Sequence, residues 1–258
     1  MMTLQLIAGA FCFLVGLSLS LLGGGGSVLM VPIFVYIAKM PVSEAIALSL
    51  VIVGLSSAFG AIKYLKQGFV NKRLVILFVA PGIAASFFGA RVTKFVSEEH
   101  LLFMFGVLMM LISLILYKKS SKETQSQASV ICRPNFTLSV SVGALIGFLT
   151  GLLGVGGGFL IVPAIALLMR CSLYTAIGTS LVIIAINSFT GFIGHLSAMN
   201  LNFPLGAAFL LATISGAVFG TKVSDKFSAV FLQKSFSGLI FFVGCFLTVQ
   251  HFPFGYGR

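Results

Sequence analysis

Acidic side chains are nearly missing from this sequence, and charge of either sign is scarce. Of 258 residues, 8% are charged, and only five are Asp or Glu against 16 Lys or Arg. An average soluble domain carries about 25% charged residues, because its water-facing surface needs polar side chains. With 59% hydrophobic residues, the chain cannot build such a surface. The composition excludes an ordinary soluble fold and predicts a protein embedded in lipid.

Long stretches of the chain contain no Asp, Glu, Lys or Arg at all. These stretches are 1–38, 45–62, 74–90, 101–117, 135–169, 171–221 and 235–257. A spanning helix needs about 20 apolar residues, whereas strands of a membrane barrel alternate apolar and polar residues in runs of about 10. The runs here are continuous, so we expect an all-α, polytopic protein. Its net charge of +11 is explained by basic cytoplasmic loops. We expect the lipid bilayer as a partner and no nucleic acid.

The sequence repeats itself when it is shifted against itself so that Pro32 lies opposite Pro163, and we call this alignment the repeat register. Residues 21–32 then match residues 152–163 at eight of twelve positions, and residues 45–52 match 176–183 at six of eight. Such internal periodicity identifies repeat architectures. We therefore divide the chain into a first membrane repeat, 1–117, a polar cytoplasmic linker, 118–134, a second membrane repeat, 135–250, and a C-terminal tail, 251–258.

Each repeat contains five apolar segments, the second of which is short. The segments are 3–22, 28–38, 43–62, 74–90 and 101–117 in the first repeat, and 136–153, 159–169, 173–196, 203–221 and 235–250 in the second. Eleven residues of helix rise only about 16 Å, roughly half of the ~30 Å hydrocarbon core. The sequence thus predicts broken or half-length helices and eight to ten transmembrane helices in total.

The distribution of basic residues predicts that the two repeats have opposite orientations. The loop 63–73 carries four Lys or Arg, whereas its counterpart, 194–204, carries none. Basic loops stay in the cytoplasm, so the two loops should lie on opposite sides of the membrane. Inverted repeats of this kind are common in secondary transporters.

A string of glycines precedes each short segment. The strings are Gly23, Gly24, Gly25 and Gly26 with Ser27, and Gly154, Gly156, Gly157 and Gly158. Unwound backbone at membrane depth is tolerated only inside protein or beside a watery cavity, and the free amides of a helix N-terminus attract anions. We therefore predict that both strings contact an anionic substrate near a shared midplane. The alternative is that glycines only let helices pack closely.

The doubled pattern Leu-Leu-Gly-x-Gly-Gly-x-x-Leu-x-Val-Pro, followed by Ala-Ile-x-x-Ser-Leu-Val-Ile, resembles the TauE/SafE sulfite exporter family, also called the TSUP transporters. The similarity covers essentially the whole chain. It implies a multi-pass protein of the bacterial inner membrane that moves sulfite, a sulfonate or a related small sulfur-containing anion. The first copy departs slightly from the second in its glycine string, with Ser27 where the second repeat has Gly158.

The third segment of each repeat carries polar residues. They are Ser49, Ser56, Ser57 and Tyr64 in the first repeat, and Thr179, Ser180, Asn187, Ser188 and His195 in the second. Residues seven apart share one helix face, which selects Ser49 and Ser56, and Ser180 and Asn187, as further substrate-binding residues. Such a stripe can also bond neighbouring backbone. His195 is a candidate proton relay because its charge changes near neutral pH, or it is a histidine that faces water at a segment end.

No carboxylate lies deep within an apolar segment, since Glu44 stands at the start of one and the other four acidic residues are in loops. Intramembrane carboxylates commonly serve proton and cation pumps, so this favours an anion as substrate. No catalytic motif, metal-ligand spacing or cofactor motif occurs, so we expect no enzyme activity, no metal and no cofactor. The four cysteines are interpreted as small apolar packing residues. Besides a secondary permease or exporter, a passive anion channel and a non-transporting scaffold stay open, and the oligomeric state is unknown.

Overall fold

The computed structural model describes residues 2–22, 25–120, 132, 135–154, 157–169, 171–195, 203–223 and 229–251, and all structural statements below refer to these residues. They form helices, turns and short connections, with no strand among them. The long helices are α1 (Met2–Leu22), α3 (Val42–Lys66), α4 (Lys72–Val92), α5 (Glu98–Ser120), α6 (Phe136–Leu153), α8 (Leu173–His195), α9 (Phe203–Val223) and α10 (Ala229–Gln250). The all-α polytopic class is confirmed.

Two short helical elements follow the glycine strings. The first half-helix consists of a 3₁₀ turn, Gly25–Leu29, then α2, Met30–Pro32, and a π-helical segment, Ile33–Ile37. The second half-helix consists of α7, Gly158–Pro163, and a π-helical segment, Ala164–Leu168. Each turns from α to π directly after a proline, whose missing N–H interrupts the α-helical ladder. The predicted broken helices are present, although their 3₁₀ and π turns were not foreseen.

The break before the second half-helix is made by two left-handed glycines. Gly154, with φ of 70°, ends α6, and Gly157, with φ of 63°, precedes α7. An L-residue in this conformation costs roughly 1–2 kcal/mol, which explains why glycine stands at both positions. The helix therefore stops at Leu153 and restarts at Gly158.

Other boundaries differ from the sequence expectation where charged side chains extend a helix. Helix α3 ends at Lys66 rather than at residue 62, and α5 continues to Ser120, so that it enters the predicted linker 118–134. Long Lys side chains keep their ammonium groups in water while the backbone stays helical. The apolar run is therefore shorter than the helix it belongs to.

Helices α3 and α8 pack against each other in antiparallel orientation. A methyl group added to Gly54 would lie 3.3 Å from Cβ of Ser188, and one added to Gly178 would lie 2.7 Å from Cβ of Tyr64. The contacting residues of α8 therefore have lower numbers as the residue numbers of α3 increase, so the two helices run antiparallel. Both helices exceed 20 residues, or about 30 Å in length, so each is long enough to cross a bilayer.

Small residues bring the other helices together. Helix α6 packs on α4, and α1 packs on α9. Gly143, Gly147 and Gly151 of α6 touch the backbone of Phe78, Gly82 and Ser86 in α4. Spacing of small residues by four is the typical device by which membrane helices reach backbone contact. Helix α5 pairs with α10, so every one of these pairs joins the first half of the chain to the second.

These pairs are reciprocal in the repeat register. Helix α4 corresponds to α9 and α6 to α1, so the pair α4–α6 has the pair α9–α1 as its counterpart. The two π-helical segments, Ile33–Ile37 and Ala164–Leu168, also occupy matching positions. A duplication predicts such a pattern, and the antiparallel course of α3 and α8 is what an inverted duplication predicts. The inverted repeat and its boundaries stay a prediction.

A disulfide joins the end of the predicted linker to the loop that follows the second half-helix. Cys132 and Cys171 are bonded, with their Cα atoms 4.6 Å apart, and the Ser139 hydroxyl lies 3.5 Å from Sδ of Met169. The start of α6 and the end of the second half-helix therefore lie at the same end of the bundle. The expectation that all cysteines are isolated packing residues is wrong for this pair, because residues distant in sequence meet at the base of a hairpin; Cys12 and Cys245 are free.

The outer faces of the helices are apolar. Phe88, Leu211 and Val249 have 65%, 68% and 79% of their surface exposed, a pattern that suits lipid rather than water. By length and composition, four helices among the described residues can cross a membrane: Val42–Lys66, Lys72–Phe95, Phe136–Leu153 and Tyr174–His195. Shorter apolar helices are 8–21, 26–37, 206–222 and 240–250.

The close contact between α4 and α6 predicts the effect of adding one methyl group. In Gly151→Ala, the new Cβ would collide with the carbonyl of Ser86, and overpacking of this kind costs typically about 1–3 kcal/mol. Gly9→Ala is the matched control, because nothing lies within 4 Å of the added atom. Thermal unfolding in detergent should show a lower melting temperature for Gly151→Ala alone. Equal melting temperatures would contradict the packing of α6 on α4.

The disulfide allows the orientation of the linker to be measured. Disulfides persist in oxidising compartments and are rare in the cytoplasm, whereas the linker is predicted to be cytoplasmic. The basic linker predicts that, after reduction in spheroplasts, a membrane-impermeant thiol reagent leaves Cys132 unlabelled and labels it in inverted vesicles, whereas a bond that persists in an oxidising compartment predicts the reverse. Cys171 is buried and serves only as the partner. A Cys132→Ser, Cys171→Ser variant measures background labelling. Labelling in intact spheroplasts would reverse the predicted orientation.

Candidate functional site

The buried polar side chains of the described core are neutral hydroxyls, with one amide and one imidazole among them. They belong to serines and threonines on most of the long helices, to Asn187 and to His195, and no Lys, Arg, Asp or Glu is buried with them. The charged residues of the described helices lie close to helix ends, as Lys63 and Lys66 do at the end of α3. The interior is therefore polar in places but carries no fixed charge.

Most of these buried groups are bonded to backbone. Ser49 Oγ lies 2.6 Å from the carbonyl oxygen of Gly154 and 2.7 Å from that of Ile46, so it ties α3 to the glycine break. Its counterpart Ser180 donates to the carbonyl of Ile177 at 2.8 Å. These two predicted site residues thus hold helix backbones, which is the role that hydroxyls commonly have in membrane helices.

His195 has a structural counterpart in Tyr64. The His195 Nε2 donates to the carbonyl of Gly151 at 2.9 Å, and the Tyr64 hydroxyl donates to the carbonyl of Ser20 at 3.4 Å. The two pairs occupy matching positions in the repeat register. One joins the end of α8 to the last turn of α6, and the other joins the end of α3 to the last turn of α1. His195 is 2% exposed, so the water-facing alternative is excluded. Its role as a proton relay stays a prediction.

Four buried residues in the middle parts of α3 and α8 behave differently. The side-chain oxygens of Ser56, Ser57 and Ser188, and both amide atoms of Asn187, are buried and have no hydrogen-bond partner among the described residues. We call this set the crossing cluster. All four residues are at most 1% exposed. Each unmade hydrogen bond of a buried polar group costs about 1–3 kcal/mol, so such a concentration of unpartnered atoms calls for a functional explanation.

The crossing cluster lies where α3 and α8 touch. Gly54, one turn before Ser57, faces Cβ of Ser188, and both serines are near the middle of their helices. Ser57 and Ser188 are counterparts in the repeat register, as are Ser56 and Asn187. The cluster is therefore formed by the same positions of both repeats, at mid-depth of the antiparallel pair.

Helix α4 closes the cluster on the side of Asn187. A methyl group on Gly82 would lie 2.7 Å from both Nδ2 and Oδ1 of Asn187, so the amide rests against the α4 backbone. One turn further along α4, the Ser86 hydroxyl donates to the main-chain carbonyl of Asn187 at 2.8 Å. Any molecule that binds the Asn187 amide consequently requires α4 and α8 to separate at this point.

The predicted glycine sites are partly visible. The 3₁₀ turn Gly25–Leu29 contacts α7, so the starts of the two half-helices meet. A methyl group on Gly26 or Gly157 would collide with α1 or α6, respectively, which shows that these two glycines permit close packing. Ser27 and Gly158 are buried in the same region. Gly23, Gly24 and Gly156 lie outside the described residues.

The structure thus separates the predicted site residues into groups. Ser49, Ser180 and His195 bond backbone, whereas Ser56 and Asn187 join the crossing cluster. Ser57 and Ser188 were not selected from the sequence, because the choice followed one helix face at a spacing of seven. Their match at positions 57 and 188 of the repeat was the available signal. Among the described residues, no three His, Cys, Asp or Glu side chains form a candidate metal site.

Comparison with known proteins identifies the family. A model of the family described as sulfite exporter TauE/SafE matches residues 8–247. The chain belongs to the TauE/SafE family. A probable membrane transporter protein of Xylella fastidiosa strain Temecula1 is 30% identical over 84% of this chain and 83% of its own length. YdhB of Bacillus subtilis, a probable membrane transporter protein, is 26% identical over 88% of this chain and 96% of its own length.

The family extends beyond bacteria. MJ0441 of Methanocaldococcus jannaschii, also a probable membrane transporter protein, is 25% identical over 92% of each chain. No solved structure matches this chain. This TauE/SafE protein is accordingly a membrane transporter, and the predicted multi-pass, inner-membrane location agrees with its relatives and its apolar helices.

The two kinds of buried serine predict opposite effects on stability. Ser49→Ala leaves the carbonyl of Gly154 without its donor and should lower the free energy of unfolding by about 1–3 kcal/mol. Ser188→Ala removes a hydroxyl that has no partner among the described residues and should leave stability unchanged or raise it. Thermal unfolding of the purified transporter compares the two variants. A comparable loss in Ser188→Ala would show that its hydroxyl is bonded in the folded protein.

Proposed function

We propose that this TauE/SafE protein is a secondary transporter that carries a small sulfur-containing anion, sulfite or a sulfonate, through the crossing of α3 and α8. The transporter class follows from the family. The anionic substrate is suggested by the family description, sulfite exporter, and by an interior without carboxylates. The observation that carries the proposal is the crossing cluster, whose neutral polar atoms have no protein partner among the described residues.

The chemistry of the crossing cluster suits an oxyanion. Serine hydroxyls and an amide NH₂ supply hydrogen-bond donors, and donors bound to an ionised oxygen form stronger hydrogen bonds than neutral pairs do. A buried carboxylate in this region would repel the anion, and none is buried among the described residues. An anion that accepts hydrogen bonds from these donors would recover the free energy that is lost while the donors have no partner.

The position of the crossing cluster suits transport. It lies near the middle of two counterpart helices, and α4 covers it through the contact between Gly82 and Asn187. In transporters with inverted repeats, the substrate binds near the membrane midplane between the repeats. Movement of α4 away from α8 would open the cluster to one side of the membrane. Movement of α9, the counterpart of α4, away from α3 would open it to the other side. No catalytic step belongs to this scheme.

Flux measurements test the proposal. Purified protein is reconstituted in liposomes, and uptake of sulfite and of methanesulfonate is compared with uptake by protein-free liposomes. Asn187→Leu replaces the amide by an apolar side chain of similar size, and we expect flux to fall at least about tenfold, the effect of losing about 1.4 kcal/mol of substrate interaction. The matched control is Thr190→Val, one turn along α8, because the Thr190 hydroxyl bonds only carbonyls of its own helix.

Two results would count against the proposal. Wild-type flux in folded Asn187→Leu would remove the crossing cluster from the pathway, and absence of flux for every sulfur anion would remove the substrate class. Resolvable unitary currents in planar bilayers would replace the coupled transporter by a passive channel.

A further inference from the structure

Among the described residues, the helices that carry or contact the crossing cluster bear charge only near their ends, and α9, which packs on α3, has Lys222 in its last turn. Helix α3 carries charge only at Glu44 in its first turn and at Lys63 and Lys66 in its last turn. Helix α4 carries Lys72 and Arg73 at one end and Arg91 at the other, and α6 carries none. On α8 the titratable groups, Tyr174 and His195, stand at the two ends. The middle of all these helices is therefore neutral.

A neutral site inside a lipid-embedded bundle discriminates strongly against double charge. The free energy of transferring an ion from water to a medium of low dielectric grows with the square of its charge, so a dianion costs about four times as much as a monoanion of similar size. Neutral hydroxyl and amide donors recover part of this cost, but they supply no opposite charge. An anion that keeps a single charge is the form that this interior can accept.

The crossing cluster also offers one group that only accepts hydrogen bonds. Three hydroxyls and the Asn187 NH₂ can donate, whereas the Asn187 carbonyl oxygen cannot. A fully deprotonated oxyanion has no donor for that oxygen, and a protonated oxyanion has one. For an oxyanion that can exist with or without a proton, this combination of several donors with one acceptor favours the protonated form, whereas a sulfonate meets the charge criterion alone.

We infer that the substrate passes the α3–α8 crossing as a singly charged oxyanion, and that hydrogensulfite, rather than the sulfite dianion, is the species carried. The inference rests on the proposed function. It extends to sulfonates with one negative charge and disfavours sulfate and sulfonates that also bear a carboxylate. At constant total sulfite, flux then follows the fraction of hydrogensulfite and rises as the pH falls.

The test compares three probes in proteoliposomes from mildly alkaline to mildly acidic pH, with the flux into protein-free liposomes subtracted. Sulfite changes its charge in this range, methanesulfonate stays singly charged, and sulfate stays doubly charged. We expect sulfite flux to fall about tenfold for each pH unit above the pKa of hydrogensulfite, as its fraction does. Methanesulfonate flux should change less than twofold over this pH range. Sulfate flux should stay at least tenfold lower than methanesulfonate flux throughout.

A His195 variant separates substrate protonation from titration of the protein. His195→Tyr installs the residue that makes the counterpart bond in the first repeat and does not titrate near neutral pH. The shape of the sulfite profile should persist in this variant, even where its absolute flux changes. A flat profile in His195→Tyr would assign the pH dependence to the imidazole and would overturn the inference.

The remaining outcomes are distinct. Sulfate flux equal to methanesulfonate flux, or sulfite flux that grows with pH, would overturn selection for single charge while leaving anion transport in place. Absence of protein-dependent flux for all three probes would overturn the proposed function and this inference together.

Discussion

The antiparallel contact of α3 and α8 determines where the polar groups of this membrane interior can lie. The helices touch through Gly54 and Ser188, and the hydrocarbon core around a lipid-embedded bundle offers no hydrogen-bond partners to polar groups. Polar side chains beside the contact must find partners in the protein or stay unbonded. Ser49, Ser86 and Thr190 find backbone carbonyls. The side chains of the crossing cluster find no such partner among the described residues.

Free energy gives the difference its meaning. A bundle that needed only stability would place alanine or valine at positions 56, 57 and 188, because an unpartnered buried hydroxyl is a cost. Natural proteins accept such costs at functional sites more readily than elsewhere. The surrounding contacts supply the stability, through the small-residue packing of α4 on α6 and of α1 on α9. The middle of α3 and α8 can thereby carry the unpartnered groups that we propose bind the transported anion.

The sequence predicted the architecture well because its determinants are local or periodic. Apolar length gave the helices, the repeat register gave matching positions, and the glycine strings gave the broken segments. The partners of individual side chains could not be predicted, since they depend on helix packing across long separations. Ser49 and Ser56 share a helix face in the sequence, yet the carbonyl of Gly154 reaches only Ser49. The Cys132–Cys171 bond was missed for the same reason.

The glycine strings combine two roles that the sequence treated as alternatives. Gly154 and Gly157 adopt left-handed backbone and break the helix, while Gly157 and Gly26 also allow the half-helices to fold back on α6 and α1. The starts of the half-helices meet, as a shared site near the midplane requires. The unpartnered donors, however, are on α3 and α8, and the proposed binding site therefore moves from the strings to the crossing cluster.

The most direct test of this account is whether an anion binds at the crossing cluster of the purified protein. Selective binding to the folded state stabilises it by RT ln(1 + [L]/Kd) and therefore raises the melting temperature. We expect hydrogensulfite to raise the melting temperature of the wild type and of Thr190→Val. Without ligand, Asn187→Leu should melt no lower than the wild type. With hydrogensulfite, the melting temperature of Asn187→Leu should not change. An equal shift in Asn187→Leu would contradict the account, because the anion would then bind elsewhere.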